Sequence, residues 1–202
     1  MTAVDRAAAI AVLQRRLTDE LVVAALGNPA YDLFNAGDRP EHFYMWGAMG
    51  LGHSVGLGVA VASPQAKVIA LEGDGGVLMN LGALATIGSL QPQNLVLIIW
   101  DNGMFDLTGG QRTAAAGTTD LAAIAGACGI AQSRRITSME EFEAAIQEVL
   151  ERSGPWCLVV DTGPTPQNRV KPLVALRTRF MQLEPFIAAA TAAPARQGET
   201  AA

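Results

Sequence analysis

Two short polar segments of this chain carry side chains that could hold a metal ion together with a phosphate. Asp74 stands between two glycines, and Asn102 directly precedes Gly103. An Asp carboxylate and an Asn amide carbonyl are hard oxygen ligands suited to Mg2+, an ion that proteins usually hold through few side chains plus the phosphates of a ligand. The glycines beside Asp74 let backbone N–H groups approach a phosphate closely. These residues therefore predict a site that binds a diphosphate through a metal ion.

Each polar segment follows a short apolar run, residues 68–71 before Asp74 and residues 95–100 before Asn102. Such runs are typical of strands buried on both faces of a parallel sheet. Because ligands of these sheets bind at the carboxyl ends of the strands, both residues should lie at one ligand-binding edge. The loops expected at or near that edge are 27–29, 47–50, 73–76 and 102–110.

Helix and strand patterns alternate along the chain, which predicts an α/β fold with three layers, a parallel sheet and helices on both faces. Strands are expected at 21–26, 43–46, 67–71, 95–100, 131–136 and 156–160. Helices are expected at 5–17, 29–34, 51–62, 78–90, 120–128, 138–150 and 173–190, with a long loop at 101–118. We expect a single domain over residues 1–190 and a disordered tail over residues 191–202.

The composition narrows the class of protein. Half of the 202 residues are apolar and the net charge is -5, which favours a large buried core and argues against a nucleic-acid surface. No apolar run reaches the roughly 18 residues that span a bilayer, and the N-terminus lacks a signal-peptide pattern. Cys128 and Cys157 match no metal-binding spacing and are expected to be buried thiols. We expect a soluble cytoplasmic protein without nucleic-acid or membrane partners.

Three longer runs carry a resemblance to a known family. They are residues 73–87, residues 101–113 with their Thr-Gly-Gly-Gln, and residues 44–50 with their Gly-Ala-Met-Gly. Gly-Asp-Gly followed by a spaced Asn resembles the diphosphate-binding signature of thiamine diphosphate (ThDP) enzymes. The longer runs resemble the sulfopyruvate and phosphonopyruvate decarboxylases. The resemblance implies the ThDP-binding fold, in the form of its pyrophosphate-binding domain, with ThDP and Mg2+ as cofactors.

The resemblance also implies residue roles. Asp74, Asn102 and the backbone carbonyl of Met104 would bind the metal, and Met49 would wedge under the cofactor and bend it. The full set of implied cofactor-binding residues is Gly27, Asn28, Gly47, Met49, Gly73, Asp74, Gly75, Gly76, Asn102, Met104 and Thr108. Other interpretations stay open: Asp74 as a turn or helix cap, Met49 as core filler, and Asn28 as the cap of a helix start.

Residues that could act on a substrate are fewer. His53 is a candidate for proton transfer or for packing within a helix, and Gln111 would line the approach to the reactive carbon. An anionic substrate needs cationic or N–H donors. Arg112, Arg169 and Lys171 are the candidate cations, although a charged side chain of this kind is more often a solvated surface charge.

One essential group is not identified. ThDP chemistry needs a glutamate beside the pyrimidine ring, and the family carries it on a separate pyrimidine-binding domain that nothing here resembles. Glu72 should face the wrong end of the cofactor. We therefore expect a beta subunit whose partner alpha subunit supplies the glutamate, in an alpha2beta2 or larger assembly that decarboxylates a small anionic 2-oxo acid.

Sulfopyruvate, giving sulfoacetaldehyde and CO2, is the favoured substrate. A phosphonopyruvate decarboxylase subunit and an acetolactate-type carboligase subunit are alternatives, as is a subunit that holds ThDP without catalysis. A dinucleotide-binding oxidoreductase is a weaker interpretation, because Gly56 comes one residue too late for its glycine fingerprint.

Overall fold

Six short segments pair into one parallel sheet in the computed structural model, which describes residues 3–163 and 170–192. The strand order is β2-β1-β3-β4-β8-β7. The bounds are β1 Leu21–Ala24, β2 His42–Tyr44, β3 Val68–Gly73, β4 Leu95–Asp101, β7 Gln132–Ile136 and β8 Trp156–Asp161. All of these pairs are parallel, and β4 is buried along its whole length.

The helices cover both faces of the sheet. They are α1 Arg6–Arg16, α2 Asn28–Ala36, α3 Gly52–Ala62, α4 Asp74–Met79, α5 Gly82–Leu90, α6 Leu121–Ala127, α7 Met139–Glu151, α8 Leu173–Met181 and α9 Glu184–Ala192. Val96, Ile98 and Trp100 pack in one core with α1, α2, α7 and α8. Leu97 and Ile99 pack in the other core with the remaining helices. This alternation along β4 confirms the predicted three-layer architecture.

Side-chain caps fix several helix starts. Asp5 accepts hydrogen bonds from the backbone N–H groups of the first turn of α1, and Asp120 does the same for α6. Ser138 caps α7 and accepts from the N–H of Glu141 at 3.2 Å. Glu141 in turn accepts from the N–H of Thr137 at 2.7 Å. The predicted start of α7 is therefore confirmed.

Two predicted helices are each broken in two. The helix expected at 78–90 begins earlier, at Asp74, and breaks at Asn80, whose side chain donates to Ser54 across the layer at 2.9 Å. The helix expected at 173–190 breaks before Glu184. The cause there is Pro185, which has no N–H to donate to the carbonyl of Met181 and whose ring would clash with that carbonyl in a continuous helix. In the first turn of α9 the missing N–H is tolerated.

The loop expected at 101–118 contains an antiparallel hairpin of β5 Met104–Phe105 and β6 Gln111–Arg112, followed by a 3-10 turn. Of the expected tail, residues 191 and 192 end α9, and the rest lies outside the described residues. Within residues 3–163 and 170–192, no helix is long and apolar enough to cross a membrane.

Candidate functional site

The parallel register of β3 and β4 brings Asp74 and Asn102 together. Gly73, the last residue of β3, pairs with Trp100 of β4. Asp74 then opens α4 while Asn102 leaves β4 at the same edge. The backbone N–H of Asn102 donates to the Asp74 carboxylate. The two residues meet at the carboxyl edge of the sheet, as their spacing predicts.

Asp74 is a buried carboxylate, 2% exposed. Its pKa is raised to about 6: burial is the main cause and the charge of Asp101 adds to it, while hydrogen bonds from the Thr113 hydroxyl and from the N–H of Gly75 oppose the shift. In the part of the chain that the structure describes, no lysine or arginine pairs with Asp74. Since a buried carboxylate is costly without an opposite charge, this position suits a metal cation.

Asn102 is held in one orientation by its neighbours. Its Nδ2 donates to Oδ2 of Asp106 at 2.8 Å, and the N–H of Met104 donates to its Oδ1 at 3.0 Å. Asp106 also accepts from Nδ2 of Asn28 at 3.2 Å. Asp106 therefore joins the start of α2 to the loop after β4, and the carbonyl oxygen of Asn102 keeps a second lone pair that a metal could use.

Glycines let the backbone of α4 reach the edge of the sheet. A methyl group on Gly75 would overlap the ring of Phe105, and one on Gly76 would overlap the carboxylate of Glu72. Any larger residue at either position would displace a side chain that lines the site. A ligand in the site would thus contact the backbone of the first turn of α4 rather than its side chains.

These residues surround an open cleft of about 520 Å3. The predicted site residues that line it are Asn28, Met49, Gly73, Asp74, Gly75, Gly76, Asn102 and Met104. Side chains that line it without having been predicted are Arg6, Leu26, Pro29, Glu72, Trp100, Phe105, Asp106 and Leu107. Glu72 therefore reaches the same cleft as Asp74, where its carboxylate accepts from the N–H of Gly52 at 2.9 Å and that of Gly73 at 3.1 Å.

The remaining predicted cofactor residues lie beside the cleft. Gly27 directly precedes α2, with a φ of 92°, and lies under the side chain of Leu107. Gly47 is exposed in the loop before α3. Thr108 and Gln111 are exposed on the hairpin, where the Thr108 hydroxyl donates to Oε1 of Gln111 at 3.1 Å. Their roles toward a cofactor or substrate stay predictions.

His53 is 0% exposed and lies beneath the cleft rather than in its lining. Its Nε2 lies 3.1 Å from the carbonyl oxygen of Asn80, and its Nδ1 lies 3.6 Å from Oε2 of Glu72. The alternative in which His53 packs within its helix matches this position. A role in proton transfer stays a prediction.

Two of the three candidate substrate-binding cations, Arg112 and Lys171, do not line the cleft. Arg112 is exposed on β6 and donates to the carbonyl of Ala116 at 2.7 Å, and Lys171 is exposed before α8. Arg169 lies outside the described residues. Arg6 reaches the cleft instead, from the first turn of α1. The sequence gives no signal for this, because Arg6 stands in an alanine-rich segment far from the glycine motifs.

The donor set fits Mg2+. Within the described ranges there is no cluster of three or more His, Cys, Asp or Glu side chains that could hold a metal. A metal here would depend on the Asp74 carboxylate, the Asn102 amide oxygen, the Met104 carbonyl and oxygens of a bound ligand. Mg2+ accepts that combination, because it favours few protein ligands and the phosphate oxygens of a ligand.

Comparison with known proteins identifies the family of this chain. A family model described as "Thiamine pyrophosphate enzyme, C-terminal TPP binding domain" matches residues 28–160. The chain is 45% identical over 150 residues to a phosphonopyruvate decarboxylase from Streptomyces viridochromogenes, which covers 72% of this chain and 37% of that protein. It is 42% identical over 159 residues to sulfopyruvate decarboxylase subunit beta from Methanococcus maripaludis, which covers 79% of this chain and 84% of that subunit.

A solved structure agrees in fold. The thiamine diphosphate-dependent 4-hydroxybenzoylformate decarboxylase of Rhodococcus jostii RHA1 matches with a TM-score of 0.71 at 21% identity. The match covers 82% of this chain and 34% of that chain. This chain thus spans about a third of that decarboxylase and of the Streptomyces relative, and most of the archaeal beta subunit. The family and the fold predicted from the sequence are both confirmed.

Proposed function

Because the chain belongs to the thiamine pyrophosphate enzymes, through their C-terminal TPP-binding domain, we propose that it is the beta subunit of a ThDP- and Mg2+-dependent 2-oxo acid decarboxylase. The observation that carries the proposal is the buried Asp74 carboxylate, set beside Asn102 at the carboxyl edge of the sheet. Thiamine diphosphate, when bound, supplies a thiazolium carbon that accepts the electrons left when a 2-oxo acid loses CO2.

The residues of this chain would hold the cofactor rather than perform its chemistry. Asp74, Asn102 and the Met104 carbonyl would bind Mg2+, which in turn holds the diphosphate. The backbone of Gly75 and Gly76, in the first turn of α4, would approach the phosphates, and Met49 would support the organic part of the cofactor from the wall of the cleft. The apolar side chains in the lining, among them Leu26, Phe105 and Leu107, would exclude water from the bound substrate. Loss of CO2 is favoured when the carboxylate of the substrate is poorly solvated.

Sulfopyruvate is the substrate that we propose. The support is the similarity of this chain to a sulfopyruvate decarboxylase subunit beta, at 42% identity over 159 residues. Phosphonopyruvate is the second candidate, since the Streptomyces relative is the more similar in sequence at 45% identity. The two acids share a 2-oxo carboxylate and a second anionic group, and they differ in the charge of that group.

A partner subunit follows from the same comparison. A protein named "subunit beta" works with another subunit, and this chain spans most of one such protein. We propose that an alpha subunit carries the pyrimidine-binding domain and the glutamate beside the pyrimidine ring. A cofactor held between two chains gives an alpha2beta2 assembly as the smallest symmetric unit.

The test is CO2 release by the assembled enzyme with ThDP and Mg2+, on sulfopyruvate, phosphonopyruvate and pyruvate. We expect the highest kcat/KM on sulfopyruvate, and loss of activity when EDTA removes the metal or when Asp74→Asn removes a ligand charge. A higher kcat/KM on phosphonopyruvate would make phosphonopyruvate, not sulfopyruvate, the substrate. Formation of acetolactate from pyruvate, without CO2 release from sulfopyruvate or phosphonopyruvate, would show that the enzyme is a carboligase rather than a decarboxylase of these acids.

A further inference from the structure

Among the described residues, the charged side chains that line the cleft are mainly acidic. Three carboxylates line it, those of Glu72, Asp74 and Asp106, and Arg6 is the only cationic side chain in the lining that the described residues form. A diphosphate would add further negative charge, and one Mg2+ would offset only part of the total. We propose that Arg6 is a cofactor-positioning residue that contacts the diphosphate. This rests on the proposed function only in taking ThDP as the ligand.

Arg6 is built into the cleft wall. It is 6% exposed, and its Nε donates to Oδ2 of Asp32 at 2.9 Å. Asp32 belongs to α2, the helix that begins at Asn28, and Asn28 lines the cleft and bonds to Asp106. The ion pair therefore fixes the guanidinium beside the loop at the start of α2. A planar guanidinium carries several N–H donors, so it can bind a carboxylate and a phosphate together.

A purely structural role explains this pair poorly. Burying two charges costs solvation free energy, and an apolar pair of similar volume is often as stable or more stable. The pair is nevertheless placed where α1 and α2 meet the cleft, with side-chain exposures of 5% for Arg6 and 2% for Asp32. A guanidinium held there would attract an anion that enters the cleft, because Coulombic attraction is strong where water is excluded.

The family match does not assign this residue. The matched domain begins at residue 28, whereas Arg6 lies in α1, ahead of it. Arg6 reaches the site because α1 packs along α2 and both helices share one core with the sheet. The first helix would thus add a phosphate contact to the glycine and metal site.

The experiment measures ThDP binding by calorimetry, with Mg2+ and the candidate alpha subunit present, for four variants of the full chain. Arg6→Gln removes the cation, Asp32→Asn keeps the cation and removes its partner, and the double variant removes both charges. Arg15→Gln, on the exposed last turn of α1, is the matched control. Thermal unfolding of each variant reports the structural cost separately. Binding of thiamine monophosphate reports how far the effect depends on the second phosphate.

We expect Arg6→Gln to weaken ThDP binding about tenfold or more, since hydrogen bonds to charged groups are strong. The ratio of the dissociation constants for monophosphate and diphosphate should fall. Asp32→Asn should weaken ThDP binding less than Arg6→Gln does, because the cation stays while its anchor is lost, and Arg15→Gln should bind ThDP close to wild type. The double variant should recover Tm relative to Arg6→Gln without recovering affinity.

Equal affinity of Arg6→Gln and wild type would overturn the assignment of Arg6 alone. So would equal losses in Arg6→Gln and Asp32→Asn that follow Tm and leave the ratio unchanged, because that pattern is structural. A wild-type chain that binds no ThDP even with the alpha subunit present would overturn both this inference and the proposed function. Binding that follows the expected pattern without any decarboxylation would overturn the function and leave Arg6 assigned.

Discussion

The hydroxyl of Thr113 donates a 2.5 Å hydrogen bond to Oδ2 of Asp74, across 39 residues of sequence. Thr113 is 6% exposed, and its backbone N–H donates to the carbonyl of Gly103 at 2.9 Å. One residue thus closes the base of the hairpin and orients the carboxylate proposed to bind the metal. The loop after β4 and the first turn of α4 are joined at the point where the ligand would lie.

Replacing Thr113 should therefore weaken metal-dependent cofactor binding. In Thr113→Val the carboxylate loses a donor and burial raises its pKa further, so both its orientation and its charge suffer. We expect Mg2+-dependent ThDP affinity to fall about tenfold or more, the usual effect of losing a hydrogen bond to a charged group. Calorimetric titration measures the change. Thr113→Ser keeps the hydroxyl and should bind nearly as wild type; similar losses in both variants would contradict the role assigned to that hydroxyl.

The main features of the fold were predictable from local patterns. Apolar runs such as residues 95–100 specify buried strands, and Ser138 with Glu141 specifies a helix start. Asp74 and Asn102 were predictable as site residues, because each directly follows such a strand. The split of the helix at 78–90 was not, since it depends on the contact of Asn80 with Ser54 in another helix.

Other site residues depend on contacts that no local pattern encodes. Arg6 meets Asp32 across 26 residues, and Asp106 meets Asn28 across 78. Thr113 closes the run that resembles the decarboxylases, which was the one available hint of its importance. For His53 the sequence left proton transfer and packing open, and only the structure shows that its side chain is fully buried.

The packing of α3 on β3 can be tested with two glycines on one helix. A methyl group on Gly56 would lie 2.7 Å from Cβ of Ala70, whereas one on Gly58 would meet nothing within 4 Å. We expect Gly56→Ala to destabilise the chain by about 1–3 kcal/mol through overpacking. Gly58→Ala should stabilise it by about 0.5–1 kcal/mol, because alanine favours the helix.

Urea unfolding at constant pH measures both changes in the free energy of unfolding. The shared helix makes each variant the control for the other, since general effects on α3 would move both in the same direction. Equal stability of the two variants would mean that α3 does not approach β3 as closely as the structure shows.

His42 should make stability depend on pH. It is 1% exposed, and burial, together with the charges of Arg39 and Arg179, lowers its pKa to about 3. The Tyr44 hydroxyl donates to Asp38 at 3.1 Å, so Nδ1 of His42 carries the proton and donates to the Tyr44 oxygen at 3.0 Å. His42 is thus neutral in the folded protein.

An unfolded histidine takes up a proton below pH 6.5, while folded His42 does so only near pH 3. The unfolded state therefore binds more protons between these values, and stability falls as pH falls. Between pH 7.5 and pH 5 the contribution of His42 should decrease by about 2 kcal/mol. His42→Asn keeps a donor for Tyr44 but does not titrate, so it should lose about that much less free energy of unfolding than wild type.

Urea unfolding of both proteins at the two pH values measures the difference, and contributions from other groups, Asp74 included, cancel in it. Parallel losses in wild type and His42→Asn would show that the imidazole is not held neutral in the fold.

The half-site account is tested most directly by separating the two chains. CO2 release from sulfopyruvate, with saturating ThDP and Mg2+, is measured for this chain alone, for a candidate alpha subunit with a pyrimidine-binding domain alone, and for the two mixed. The account predicts a rate only in the mixture, saturating as one subunit is titrated with the other. Decarboxylation by this chain alone at the full rate of the mixture would contradict it, because the catalytic glutamate would then have to lie on this chain.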